Sequence, residues 1–196
     1  MAITKLSDSS ITTGDKYISM LAGNSAFRPS DYESIASATG TGSSGTITFS
    51  SIPSTYVALQ VRWMGQVGGG TNGLYNTYIQ FNSDSGNNYT RHTLDGDGAS
   101  ATATGSASVT APQVGLATRN SDTALGVSII DIHDYASTTK YKTLRVFNGA
   151  DRDGAGQVQL QSGLWMSTSA ISSISIINFN GNFKTNSTFA LYGIKG

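Results

Sequence analysis

From residue 31 onward, apolar and polar positions alternate with a period of two, the signature of half-buried strands. Thr46-Ile47-Thr48-Phe49 alternates, and Ile52-Pro53-Ser54-Thr55 reads as a turn. Val57, Leu59, Val61 and Trp63 fall on one face of a strand, with Ala58, Gln60, Arg62 and Met64 on the other. Gly68 to Gly73 is a loop. Tyr75, Thr77, Ile79 and Phe81 alternate again, up to a turn over residues 82–88. A short strand is predicted at 89–94, followed by a long Gly/Ala/Ser/Thr loop at 95–108. Residues 125–132 are strongly apolar and β-branched, which predicts a central strand. Further strands are predicted at 141–147, 158–166, 171–179 and 187–194. About nine strands with Gly/Asn/Ser/Asp connections, and no amphipathic helix of ten or more residues, predict an all-β, jelly-roll-like β-sandwich. The Ser and Thr on the second face of stretches such as Ile171-Ser172-Ser173-Ile174-Ser175-Ile176 suit either solvent or close packing against another subunit.

The first 30 residues lack this pattern. Their apolar residues are scattered: Ile3, Leu6, Ile11, Tyr17, Ile18, Met20, Leu21 and Phe27. Asp15 could cap a short helix that puts Tyr17, Ile18 and Leu21 on one face and ends at Gly23. So few apolar side chains cannot offset the entropy of ordering the backbone that carries them, so the segment needs a neighbouring surface. We therefore expect an N-terminal arm at 1–30, with Ile11, Tyr17, Ile18, Leu21 and Phe27 as its docking pegs, and a β-sandwich body at 31–196.

Composition narrows the function. Lys+Arg 12 against Asp+Glu 12 gives no net charge, which argues against a nucleic-acid binder working through a basic field and against a polybasic membrane binder. No apolar run is long enough for a membrane span, and no signal-peptide pattern opens the chain. The absence of cysteine removes disulfides and thiolate chemistry. With only 12% charged residues, solubility rests on 28 Ser, 23 Thr and the amides, a balance suited to surfaces that meet other subunits.

Candidate chemistry is sparse. Gly40-Thr41-Gly42-Ser43-Ser44-Gly45 matches G-x-G-x-x-G, but a β stretch follows it where a phosphate-binding helix is needed, so it reads as a loop. His133 lies in Asp131-Ile132-His133-Asp134, but no G-x-S-x-G accompanies it, and His92 has no metal-ligand spacing to it. Asp95-Gly96-Asp97-Gly98 and Asp151-Arg152-Asp153-Gly154 look like fragments of calcium loops without the rest of the pattern, and turns explain them. The chain is short for a two-carboxylate glycosidase groove. The sequence nominates no catalytic, cofactor or metal residue, and the expectation is a non-enzyme. Tyr75 and Tyr89, beside Asn/Gly turns, are candidates for contacts with a host surface glycan.

Four blocks carry a resemblance: Asp31-Tyr32-Glu33-Ser34-Ile35-Ala36, Thr48-Phe49-Ser50-Ser51-Ile52-Pro53, Ser162-Gly163-Leu164-Trp165-Met166, and the ending Phe189-Ala190-Leu191-Tyr192-Gly193-Ile194-Lys195-Gly196. Together they resemble virion structural proteins of tailed phages, familiar from phages of cyanobacteria and other aquatic bacteria. The opening, with Leu21-Ala22-Gly23-Asn24, is similar to segments that attach such proteins to the particle. The resemblance implies a virion component, either a short fibre-like appendage or a capsid decoration, and transfers no catalytic residue. A homotrimer is expected, because phage appendages are commonly trimers and uncharged Ser/Thr faces permit close packing around an axis. Other virion proteins of tail, neck or capsid are the expected partners of the arm. A carbohydrate-binding receptor module is the alternative.

Overall fold

The computed structural model describes residues 31–69, 73–119, 123–152 and 154–196; the proposed arm and its pegs Ile11, Tyr17, Ile18, Leu21 and Phe27 lie outside them. The body is all-β. Its twelve strands are β1 (Tyr32–Thr39), β2 (Thr46–Phe49), β3 (Ala58–Val67), β4 (Leu74–Phe81), β5 (Tyr89–Gly96), β6 (Ala101–Val109), β7 (Gln113–Arg119), β8 (Gly126–His133), β9 (Lys142–Ala150), β10 (Gln157–Trp165), β11 (Ile174–Ile177) and β12 (Thr188–Ile194).

Hydrogen-bonded neighbours connect all twelve strands into one mixed sheet. Most of it divides into two antiparallel parts. A large part runs β1-β12-β3-β8-β9-β10-β5-β6, and a small part runs β2-β11-β4-β7. The two join where the end of β3 turns to run parallel with β7, pairing Gln66 with Thr118 and Val67 with Arg119. β7 lies across β8 and β9, so the small part covers the middle of the large one. The antiparallel pairing is nested: β1 with β12, β2 with β11, β3 with β8, and β4 with β7. The hairpins β5–β6 and β9–β10 interrupt this nest, and both extend the large part.

The core sits between the two parts. Leu59, Val61 and Trp63 point into it from β3, Ile130 and Ile132 from β8, and Phe189 and Leu191 from β12. Ile47, Phe49, Ile79, Phe81, Ile174 and Ile176 meet them from the small part. Trp63 stacks on Phe189 at 6.1 Å between centroids, and Gly115 on β7 leaves room for the indole, since a Cβ there would strike its ring. Buried Lys142 donates from Nζ to the carbonyls of Ser137, Lys140 and Ser167 at 2.6, 2.8 and 3.3 Å, tying the loops after β8 and β10 together. Burial lowers its pKa.

Three expectations change. The loop expected at 95–108 contains strand β6, paired along its length with β5. Because it is solvent-exposed on both faces, it carries no apolar alternation to read. β7 was hidden for the opposite reason, being buried on both faces. Val57 precedes β3 and is exposed, so the inward face starts at Leu59.

Candidate assembly surface

The cross-strand register of the large part fixes which side chains share its outer face. One row across six strands reads Arg62, Ile129, Phe147, Leu160, Leu94 and Ala103 on β3, β8, β9, β10, β5 and β6. The next row reads Met64, Val127, Gly149, Val158, Gly96 and Ala101. Seven of these are large apolar side chains left open to solvent: Met64, Leu94, Val127, Ile129, Phe147, Val158 and Leu160. Phe147 is the most exposed of them, at 59%. Toward β12 the surface dips into a groove of about 940 Å³, walled by Met64, Val127, Ile129, Phe147, Val158 and Ala190. A monomer rarely exposes so contiguous an apolar patch.

A third row bounds the patch on one side and is polar: Tyr192, Gln60, Asp131, Arg145, Ser162 and His92. Its members hold one another. Arg62 Nε donates to Gln60 Oε1 at 2.6 Å, Gln60 Nε2 donates to Asp131 Oδ1 at 2.7 Å, and Arg145 Nη2 reaches Asp131 Oδ2 at 2.9 Å. The Arg62 guanidinium lies 5.4 and 5.3 Å from the ring centres of Tyr32 and Tyr192. Burial alone would raise the Asp131 carboxyl, but the hydrogen bonds from Gln60 and Arg145 outweigh it and hold its pKa below the ordinary value.

The inner face beneath the patch reverses the usual sense. Gln159 and Gln161 of β10 are buried at 4% and 2% exposure, while Leu160 between them is half exposed. Gln113 Nε2 donates to Gln159 Oε1 at 3.0 Å, Gln161 Nε2 donates to the same oxygen at 3.2 Å, and Asn148 Nδ2 donates to Gln161 Oε1 at 3.2 Å. Arg91 Nη1 donates to Gln113 Oε1 at 3.0 Å. The sense is set at the other end of β10. There Trp165 is buried against Tyr89 and Phe81, and its Nε1 donates to Asp84 Oδ2 at 2.7 Å. Side chains two residues apart share a face, so placing Trp165 inward also places Gln161 and Gln159 inward.

The opposite outer face of the sandwich is ordinary. Thr46, Thr48, Ser175 and Gln80 lie there, with Thr48 and Ser175 hydroxyls 3.0 Å apart. Tyr78 and Ile177 also lie there, and exposed Phe179 packs on the Tyr78 ring at 5.1 Å, a smaller apolar cluster than the patch on the large part.

Tyr89 is fully buried; its hydroxyl accepts from the Phe81 N–H at 3.0 Å and donates to the Asp84 carbonyl at 3.1 Å. Burial pushes its phenol pKa up. This withdraws it as a surface glycan contact, because β5 begins at Tyr89 itself and turns the ring inward. Tyr75 is half-buried and has the Arg119 guanidinium 3.7 Å from its ring centre. Asp97 Oδ1 accepts the N–H groups of Ala99 and Ser100 at 2.9 and 2.7 Å, and Asp151 Oδ1 that of Gly154 at 2.9 Å, so both carboxylates work as turn formers. Asp153 lies outside the described residues, and Asp95 is on the inward-facing side of β5. No three His, Asp or Glu side chains among the described residues converge on a metal position. His133 is exposed at the end of β8, and neighbouring Asp134 pairs with Lys140 at 3.0 Å. Gly40, in the dinucleotide-like loop, is needed because a Cβ there would run into the Lys184 carbonyl. No helix among the described residues is long and apolar enough to cross a membrane.

No family model matches the chain, and neither a curated protein nor a solved structure matches it. The functional reading therefore rests on the residues and the surface they build.

Proposed function

We propose that this chain is a structural component of a tailed-phage virion, a short appendage subunit that associates with itself through its body and docks to the particle through residues 1–30. The observation that carries the reading is the open apolar patch on the large part of the sheet, a surface of the kind that an assembly covers. The sequence resemblance points the same way, as does a cysteine-free body, which suits assembly in a reducing cytoplasm. The body itself we read as a jelly roll. The nested pairing of β1 with β12, β2 with β11, β3 with β8 and β4 with β7 supports this, with β5–β6 and β9–β10 as insertions. A homotrimer is the stoichiometry we assign, with other virion proteins as partners of the arm.

Quantitative mass spectrometry of gradient-purified particles tests the reading. A few to a few dozen copies per particle are expected. Hundreds would make the protein a capsid decoration, and absence from the particles would overturn the proposal. Deleting residues 2–27 should leave the body folded, since Tyr32–Gly196 forms a compact unit of its own, and should stop incorporation.

A further inference from the structure

We infer that the outer face of the large part, centred on Phe147 and Leu160, is where copies of this chain pack on one another. The inference deepens the assembly reading above and names the surface and its occupant. Three observations select a second copy over a different partner.

The first is area. Seven apolar side chains, each about half exposed, present on the order of 600 Å² between them. A standard interface takes about 800 Å² from each partner, so the patch with its immediate surround is enough for one stable contact between copies.

The second is shape. The patch is a regular sheet surface, with side-chain rows one strand apart and two residues apart along each strand. The natural cover for such a surface is another sheet packed face to face at about 10 Å, its rows fitting between these. The glycines in the second row, Gly96 and Gly149, flank Val158 and leave gaps into which a neighbour's larger side chains fit. The row ends at Ala101 and Ala103 on β6, a nine-residue strand without a charged residue or proline. Edge strands normally carry such residues to prevent association.

The third is charge. Within the two apolar rows the one charged residue is Arg62, held by Gln60 and flanked by two tyrosine rings. In the bounding row Asp131 and Arg145 neutralise each other. The face asks for no oppositely charged partner, and a chain with no net charge does not repel its own copies.

The buried amides beneath the face fit the same account. Keeping Gln159 and Gln161 inside and Leu160 and Val158 outside is unfavourable for an isolated chain. It becomes reasonable when the outside is the interior of an oligomer.

Light scattering on the full-length protein at micromolar concentration reads the outcome. A face that packs on its own copy is a two-fold contact, so a mass of at least twice that of the 20.4 kDa chain is expected. Phe147→Glu combined with Leu160→Glu should weaken association by about 30-fold or more while leaving the circular dichroism spectrum unchanged, since both side chains are already exposed. Phe179→Glu, equally exposed but not on this face, should leave the mass unaltered. Because the chain has no cysteine, Val158→Cys gives a second reading in which oxidation links copies only if this face meets another. A monomer at 100 μM, or a double variant with the wild-type mass, overturns the inference. A dimer that the double variant abolishes keeps the surface and overturns the trimer. A monomer that is nonetheless found in particles removes this surface and spares the virion reading; an oligomer absent from particles does the reverse.

Discussion

Strands β3 and β8 and strands β9 and β10 belong to the same continuous antiparallel surface, yet they fill their inner faces in opposite ways. On β3 and β8 the inward positions are Leu59, Val61, Trp63, Ile130 and Ile132, and the outward ones are polar at Gln60, Arg62, Asp131 and His133 and apolar at Met64, Val127 and Ile129, where the patch begins. At the far ends of β9 and β10 the inward positions are Asn148, Gln159 and Gln161, and the outward ones are Phe147, Val158 and Leu160. The first pair obeys the rule for a soluble monomer on its inner face and along the polar row. The second obeys it only if the boundary of the hydrophobic interior is drawn around more than one chain. Which residues a sheet hides is decided by the unit that is stable, and on the reading proposed above that unit is larger than the subunit.

The largest effect is expected where the monomer's own core is struck. Trp63→Ala should cost about 3–5 kcal/mol in urea denaturation, because the indole is fully enclosed between Phe189 and β7. A loss under 1 kcal/mol would mean that the β3–β8 half does not anchor the fold. Next comes the inverted half. Gln159→Leu removes the acceptor shared by Gln113 and Gln161 and leaves two buried amide donors unpaired, for an expected loss of about 1–3 kcal/mol. A gain in stability would show that the amides are tolerated there and not needed.

A smaller effect tests what sets the sense of β10. Burial alone would raise the Asp84 carboxyl, but hydrogen bonds from Trp165, Asn88 and the Gly86 N–H lower its folded-state pKa. A depressed carboxylate pKa contributes stability that is present above the unfolded value, near 4, and is lost as pH falls through the folded value. Unfolding midpoints should therefore drop on acidification below about pH 4, and Asp84→Asn should lose about 1 kcal/mol at neutral pH and part of that acid sensitivity. An unchanged acid profile would separate Asp84 from the orientation of Trp165. The smallest effect lies on the outer face. Phe147→Ser should change the stability of the dissociated chain by no more than about 0.5 kcal/mol. A large loss would mean that Phe147 serves the monomer, and the contrast between the halves would fail.

Much of the ordinary half is legible in the sequence, because only one assignment of faces buries Leu59, Val61 and Trp63 together. The turn over 82–88 and the strands at 89–94 and 187–194 are readable for similar reasons of alternation and punctuation. The alternation Val158-Gln159-Leu160-Gln161 is equally regular but misleading, since hydrophobicity alone assigns its faces the wrong way round. Trp165, four residues beyond Gln161, overrides it, and the partners that lock Trp165 inward, Tyr89 and Asp84, are distant in sequence. The burial of Tyr89 escapes a reading based on nearby turns for the same reason. β6 and β7 leave no periodic trace, one because both its faces are wet and the other because both are dry. The candidate surface thus depends on register, which the local pattern does not carry.

The pairing of the first strand of the body with the last has a consequence for folding. Tyr32 lies opposite Ile194, and Glu33 meets Lys195 at 2.7 Å, so the strand between β1 and β3 is β12, which follows all the others in chain order. The large part cannot be completed until β12 is inserted between β1 and β3. Most of the chain's contacts join residues far apart in sequence, which makes folding slow. Ala190 of β12 also walls the groove of the outer face, so that face is whole only once this long-range pairing is made.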